Sequence, residues 1–182
     1  MKYVLAALLS TLFVFSAAIE SVRADYVLPY PSFFPGNKLY KISRFIDSAK
    51  SWWYWGSISQ TKYHLLLADK YLIEAKTLLE YKQYPLGLDA LFRSDQDFLP
   101  LPEILEQVKR EGKDNMNLTA LVQEASLAHV VVLQKLAEDL PADFTWRDEH
   151  KAVKNLEIGR ALADSIAIRS RVLSSIVTPT LQ

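Results

Sequence analysis

Apolar residues recur every three or four positions through most of this chain, and that spacing constrains the fold more than any other feature. One set, between residues 59 and 82, includes Leu65, Ala68 and Leu72, and a second runs from residue 118 to residue 140. Such spacing places apolar side chains along one face of an α-helix. The 182 residues include only 5 glycines, too few for a turn-rich β-sandwich. The sequence therefore predicts an all-α fold.

The boundaries of the predicted elements follow from the same periodicity and from the prolines. We expect a bundle of about five helices, in which residues 59–82 and 86–98 form a helical hairpin that looks like one tetratricopeptide unit. A Thr145/Asp148 capping pair predicts a last helix from about Trp146 to Val177. Its predicted buried stripe is rich in small residues, which would allow close helix approach: Ala152, Leu156, Gly159, Ala163, Ile166, Ser170 and Leu173.

The N-terminal segment has the pattern of a secretory signal peptide. Lys2 precedes an apolar run over residues 4–19, and small residues at Val22 and Ala24 predict cleavage between Ala24 and Asp25. The run is shorter than the roughly 20 residues that span a bilayer as a helix. A second cleavage site after Ala18 and an uncleaved membrane anchor remain alternatives. We therefore expect an exported, extracytoplasmic protein that is secreted or associated with the cell envelope.

The predicted domain organisation is a signal peptide at residues 1–24, a proline-rich extended strap at 25–36 and a helical domain at 37–178. The chain contains no cysteine, so neither a disulfide nor a lipoprotein-type anchor can stabilise or retain it. Outside residues 1–24, acidic and basic residues nearly balance. A chain without a strong electrostatic field is not expected to bind nucleic acid.

Four adjacent aromatic residues, Trp52, Trp53, Tyr54 and Trp55, form the most conspicuous candidate for an interaction surface. Successive side chains point in different directions around a helix, so the four rings cannot all enter one core. Trp and Tyr are also favoured where an apolar environment meets water. The alternative is that these rings wedge between helices at a turn, with Gly56 ending the helix.

Residues for catalysis or metal binding are sparse. The 3 histidines lack metal-ligand spacing, and His129 lies on the apolar stripe of its helix, where we expect a core or boundary residue bonded to a neighbour. The acidic residues are expected on solvated helix faces, with no pair buried together as a general acid and base would require. The sequence predicts a non-enzymatic protein without cofactor or metal.

Three functional hypotheses follow from these observations. The first is an exported interaction or envelope-associated helical protein with a protein partner or a membrane surface as its target. The alternative is a binder of apolar small molecules or lipids, with the small-residue stripe at 152–173 lining a cavity between helices. A hydrolase with an unrecognised site is a third hypothesis.

Three segments of the chain resemble a known family. The strap and the residues after it, Leu28-Pro29-Tyr30-Pro31 and Phe34-Pro35-Gly36-Asn37-Lys38-Leu39-Tyr40, resemble the opening of an uncharacterised secreted all-helical domain. That domain of unknown function is common in candidate-phylum bacteria with reduced genomes. Residues 63–79 are similar to its long Leu/Ala helix, and residues 128–141 to its His-x-x-Val-Leu segment. The resemblance implies an exported helical domain and brings no known activity or catalytic residue.

Overall fold

A computed structural model describes residues 26–29, 56–147 and 153–177. Helices dominate this part of the chain, so the predicted all-α class is confirmed. Most of the strap and residues 37–55 of the predicted helical domain lie outside the described residues. The described elements, in chain order, are α1 (Ser57–Glu80), α2 (Tyr84–Phe98), α3 (Leu101–Arg110), α4 (Met116–Asp139), β1 (Phe144–Arg147), β2 (Val153–Leu156) and α5 (Ile158–Val177).

Helix α1 is the central element of the fold. It packs against α2, α3 and α4, and its buried residues lie around most of its circumference instead of on one stripe. A helix that is apolar nearly all round is expected at the centre of a bundle. Its C-terminus is closed by Lys82, whose φ of 60° is the left-handed conformation, and by a 2.8 Å bond from the Gln83 amide to the Leu78 carbonyl. This is the usual helix stop, with lysine where glycine is commonest.

Helix α2 runs back along α1, as the sequence predicted for this hairpin. Pro85 lies in the first turn of α2, where its missing N–H costs nothing. Two residues later Gly87 lies against α1 so closely that a Cβ atom would be 2.7 Å from Leu79 Cγ. The two backbones can approach this closely only because residue 87 has no side chain.

Four helices form a square arrangement in which α1 contacts α2 and α4, and α5 contacts the same two helices. Helix α3 packs across α1, α4 and α5 at one end. Two buried apolar clusters fill the interior. The first includes Leu72, Leu91, Leu133 and Leu162, and the second, nearer α3, includes Leu65, Phe98, Val122 and Val172. All four helices of the square therefore contribute to both clusters.

The predicted start of the last helix is wrong, because residues 144–147 and 153–156 form an antiparallel pair of strands. Phe144 is paired with Leu156 and Trp146 with Lys154. Phe144 also packs its ring against Tyr84, with 4.6 Å between centroids. Aromatic and β-branched residues favour strands, and the hairpin buries Leu156 against the bundle while Phe144 stays 38% exposed.

The predicted buried face of α5 is also wrong. The helix buries Ile158, Leu162, Ser165, Arg169 and Val172, whereas Ala163 and Ser170 of the predicted stripe face solvent. The predicted buried face did not include Arg169, because charged residues normally lie on the protein surface. Neither of the two grooves described below is lined by a residue of the predicted stripe.

Candidate functional site

A layer of polar side chains crosses the middle of the bundle between the two apolar clusters. Each helix of the square contributes one residue to it: Asp69, His129 and Arg169 lie near the midpoints of α1, α4 and α5, and Asp95 lies in the last turn of α2. All four residues are buried, and Arg169 and His129 have no exposed surface. The prediction that the acidic residues lie on solvated faces is therefore wrong for Asp69 and Asp95, and also for Glu74.

Arg169 and Asp95 form an ion pair inside the bundle. One carboxylate oxygen accepts a hydrogen bond from Arg169 Nη1, and the other accepts one of 2.7 Å from Ser165 Oγ. Arg169 Nη2 donates to Ser94 Oγ at 2.7 Å, and Ser94 Oγ donates in turn to the Ala68 carbonyl of α1 at 2.7 Å. Burial lowers the pKa of Arg169 to about 9, a shift that the charge of Asp69 opposes, so the guanidinium stays charged at neutral pH.

Asp69 and His129 form the second half of the layer. His129 Nε2 is 2.7 Å from one carboxylate oxygen of Asp69, and the Tyr26 hydroxyl donates to the other at 2.5 Å. The prediction that His129 is a core residue bonded to a neighbour is confirmed. Burial raises the pKa of Tyr26, and the Asp69 carboxylate raises it further. Tyr26 thus ties the start of the predicted strap to the middle of α1.

Phe98 joins the two halves of the layer. Its ring centroid lies 5.0 Å from the guanidinium carbon of Arg169 and 5.0 Å from the centroid of His129. A cation over an aromatic face is attracted to the ring electrons, and the attraction is stronger away from water. A continuous set of contacts therefore runs from Tyr26 through Asp69, His129 and Phe98 to Arg169.

The geometry of this layer suits it to fixing how the helices align. Breaking a buried ion pair leaves an uncompensated charge, so a helix that slid by one turn would lose several kcal/mol. Among the described residues, only His129 Nδ1 and Arg169 Nε of the layer lack a hydrogen-bond partner. Both atoms face packed protein, so the described layer offers no opening at which a substrate could meet His129.

An open groove lies on the outer side of α2 and α5, above the polar layer. Its walls are Leu88, Phe92 and Leu99 from α2 and Ala161, Asp164 and Ile168 from α5, and Asp95 reaches its floor. The groove encloses about 280 Å³. Phe92 is 60% exposed, which is unusual for a residue in a well-packed helical domain.

A second, larger groove of about 520 Å³ lies where α3, α4 and the end of α5 meet. Its lining mixes apolar residues such as Leu105, Met116 and Ile176 with charged ones such as Glu103 and Lys109. Volumes of this size are typical of small-molecule sites.

None of the sequence-predicted site residues lies within the described ranges. Trp52, Trp53, Tyr54 and Trp55 lie outside the described residues, as do Ala24 and Asp25 at the predicted cleavage site. Within the described ranges, no three His, Asp or Glu side chains converge as metal ligands. The α2–α5 groove was not predicted from the sequence. The one sequence feature that indicates it is Phe92, a large apolar residue directly after the buried Leu91.

Helix α4 is long and apolar enough to cross a membrane, judged by length and composition alone among the described helices. Only 33% of its most apolar stretch is buried. A core helix of a soluble domain satisfies the same criterion, and the buried Asp69–His129 contact lies in the middle of α4. Much of the apolar surface of α4 therefore lies on its outer side, which no described element covers.

Comparison of the chain with protein-family models, curated proteins and solved structures found no match. The resemblance to the secreted helical domain of reduced-genome bacteria stays a prediction.

Proposed function

We propose that this is an exported, non-enzymatic protein of the extracytoplasmic space or cell envelope that acts by binding a partner. The α2–α5 groove carries this proposal. Phe92 and Leu99 expose apolar area two turns apart along the hairpin, and Ile168 lines the same groove from α5. Exposed apolar surface of this kind marks interaction sites in soluble proteins.

The buried polar layer supports the same proposal. It uses the charged side chains that a catalytic site would need, yet it holds them inside the bundle against Phe98 and away from both grooves, apart from the edge of Asp95. A rigid layer under the groove keeps α2 and α5 at a fixed separation. Preorganised surfaces bind with a smaller loss of conformational entropy.

The experiment compares capture of partners by the exported protein and by Phe92→Ser. Loss of a hot-spot aromatic should reduce capture at least tenfold. Leu66→Ser is the matched control, since Leu66 is also an exposed apolar residue but lies on α1 away from the groove. Equal capture by wild type and Phe92→Ser, with both proteins folded, would contradict the proposal.

Residues 52–55 are the second element of the proposal. If these rings hold the protein at the envelope, replacing Trp52, Trp53 and Trp55 by Ser should release it from envelope fractions while leaving its helical circular-dichroism signal intact. Unchanged fractionation would remove the aromatic cluster from the proposed function. N-terminal sequencing of the same material would separate this attachment from an uncleaved segment at residues 4–19.

Binding of an apolar small molecule or lipid is a second candidate function. The groove between α3, α4 and α5 favours it by its volume of about 520 Å³ and by the apolar side chains of Leu105, Met116 and Ile176. Native mass spectrometry of the protein from its own cells should then show a bound species. Met116→Ser tests whether the bound species is lost, and it is less disruptive than a change at Leu105, which is buried in the core.

A further inference from the structure

Tyr26 is docked on the bundle by a hydrogen bond and by packing. Its hydroxyl donates to Asp69 Oδ2 at 2.5 Å, and its ring packs against the second apolar cluster. Asp69 is 6% exposed and also contacts His129 Nε2 at 2.7 Å, so the acceptor belongs to the buried polar layer. The next residue, Val27, is 84% exposed. Tyr26 therefore fixes the start of the predicted strap to the helices.

The Tyr26 hydroxyl remains a hydrogen-bond donor at any physiological pH. Burial raises the pKa of Tyr26, and the Asp69 carboxylate raises it further. A hydrogen bond from a hydroxyl to a carboxylate is stronger than one between two neutral groups. Losing such a bond shifts the equilibrium between the docked and undocked states of Tyr26 by about tenfold. Undocking of Tyr26 is therefore disfavoured once the bundle has formed.

The predicted signal-peptide cleavage site lies directly before the docked residue. Cleavage is predicted between Ala24 and Asp25, and Tyr26 is the second residue after the scissile bond. Hydrolysis breaks the bond between the Ala24 carbonyl carbon and the Asp25 nitrogen, and water supplies the hydroxyl of the new carboxyl group and a proton for the new amino group. Consecutive Cα atoms are about 3.8 Å apart, so covalent geometry keeps the scissile bond next to the bundle while Tyr26 is docked.

The docking site and a signal peptidase compete for the same short segment. A peptidase has to surround the scissile bond, which the folded bundle prevents while Tyr26 contacts Asp69. Proteolysis of a folded protein then requires transient opening and follows the population of the open form. Before the helices assemble, the docking site does not exist, because the second apolar cluster takes residues from all five helices. The bond is therefore accessible before folding and protected after it.

We propose that docking of Tyr26 on Asp69 blocks cleavage after Ala24, so that the order of cleavage and folding decides whether the protein is released or retained. A chain that is cleaved first is released into the extracytoplasmic space. A chain that folds first keeps residues 1–24 and stays at the membrane through them. The inference rests on the export in the proposed function and deepens it by naming the contact that regulates release.

Cleavage of the folded full-length chain by purified signal peptidase in detergent tests the proposal with two insertions. Six glycine and serine residues between Asp25 and Tyr26 move the scissile bond up to about 20 Å from the docked residue without changing the docking site. This variant should be cleaved at least tenfold faster than wild type. The same six residues between Val27 and Leu28 are the matched control, since they leave the bond next to Tyr26 and should not accelerate cleavage.

A substitution at Tyr26 tests the hydrogen bond separately. Tyr26→Phe keeps the ring and removes the donor, so the folded chain should be cleaved about tenfold faster than wild type. In cells, the same variant should shift protein from the membrane fraction to the released fraction. Val27→Ala is the control, since Val27 is exposed and adjacent to Tyr26, and it should change neither measurement. Circular dichroism confirms that all variants are folded.

The possible failures of this inference and of the proposed function give different results. Equal cleavage rates of folded wild type and the first insertion variant would overturn the inference and leave export intact. Equal acceleration by both insertions would also overturn it, because chain length and not the docked tyrosine would then limit cleavage. If N-terminal sequencing finds no cleavage after Ala24 even in the first insertion variant, the predicted site fails with the inference. Recovery of the protein from the cytoplasm would overturn the export on which both rest.

Discussion

Replacing Arg169 by methionine should destabilise the protein severely, because the change leaves the Asp95 carboxylate buried without its cation. Arg169 has no exposed surface, and Asp95 is 8% exposed. Removing one partner of a buried ion pair costs about 3–5 kcal/mol. The free energy of unfolding of a domain is about 5–15 kcal/mol, so Arg169→Met should lose a large fraction of it. Methionine keeps the unbranched stem, so the loss reflects charge more than volume.

Urea unfolding followed by circular dichroism measures this loss. Arg171→Met is the matched control, since Arg171 is an exposed arginine two residues further along α5, and it should change stability by less than about 0.5 kcal/mol. The double variant Arg169→Met/Asp95→Leu should recover most of the lost stability, because an apolar pair replaces the ion pair without leaving a buried charge. Equal stability of wild type and Arg169→Met would refute the buried pair, and strictly additive losses in the double variant would refute the coupling of the two residues.

Three further predictions test other contacts. Tyr26→Phe should lower the free energy of unfolding in urea by about 1–2 kcal/mol, because Asp69 loses a hydrogen-bond donor. Tyr81→Phe, at an exposed tyrosine, is the neutral control. Since the pKa of Tyr26 is raised, this stabilisation should be present below the ordinary tyrosine pKa of about 10 and be lost at higher pH. Hydrogen bonds from Lys113, Ser57 and Gln107 lower the pKa of Glu111 to about 2. The stabilisation of the fold by the ionised Glu111 should therefore be present above the usual carboxyl pKa and be lost as pH falls toward 2. Glu111→Gln should reduce the drop in Tm over that pH range, and the control Glu106→Gln should not. Gly87→Ala should cost about 1–3 kcal/mol by contact with Leu79, and its effect with Leu79→Ala should be less than additive.

The polar layer gives this fold a way to choose one helix alignment among several apolar ones. The two clusters on either side of it are built from leucine, valine and alanine, which pack acceptably in more than one register. The Arg169–Asp95 pair and the Asp69–His129 contact are satisfied together in the observed register only. Burying the charges of the layer costs desolvation free energy. The hydrogen bonds of the observed register offset this cost, and a shifted register would not form them.

The sequence alone placed α1, α2 and α4 to within a few residues. Helix periodicity is a local property, and each stripe, such as Leu65, Ala68 and Leu72, had only to face some apolar neighbour to be buried. The same local pattern located His129 in the core. The strands at residues 144–156 were missed because four-residue strands carry too short an alternation to compete with an apparent helical stripe through Leu156 and Gly159.

Only the tertiary structure decided which charges lie inside and where the surface stays apolar. Arg169 is buried because Asp95, 74 residues earlier in the chain, meets it across the interface between α2 and α5. Phe92 is exposed because no described element covers the outer side of those two helices. Burial of a charge or exposure of a ring depends on partners distant in sequence, and a pattern that repeats every 3.6 residues carries no information about them.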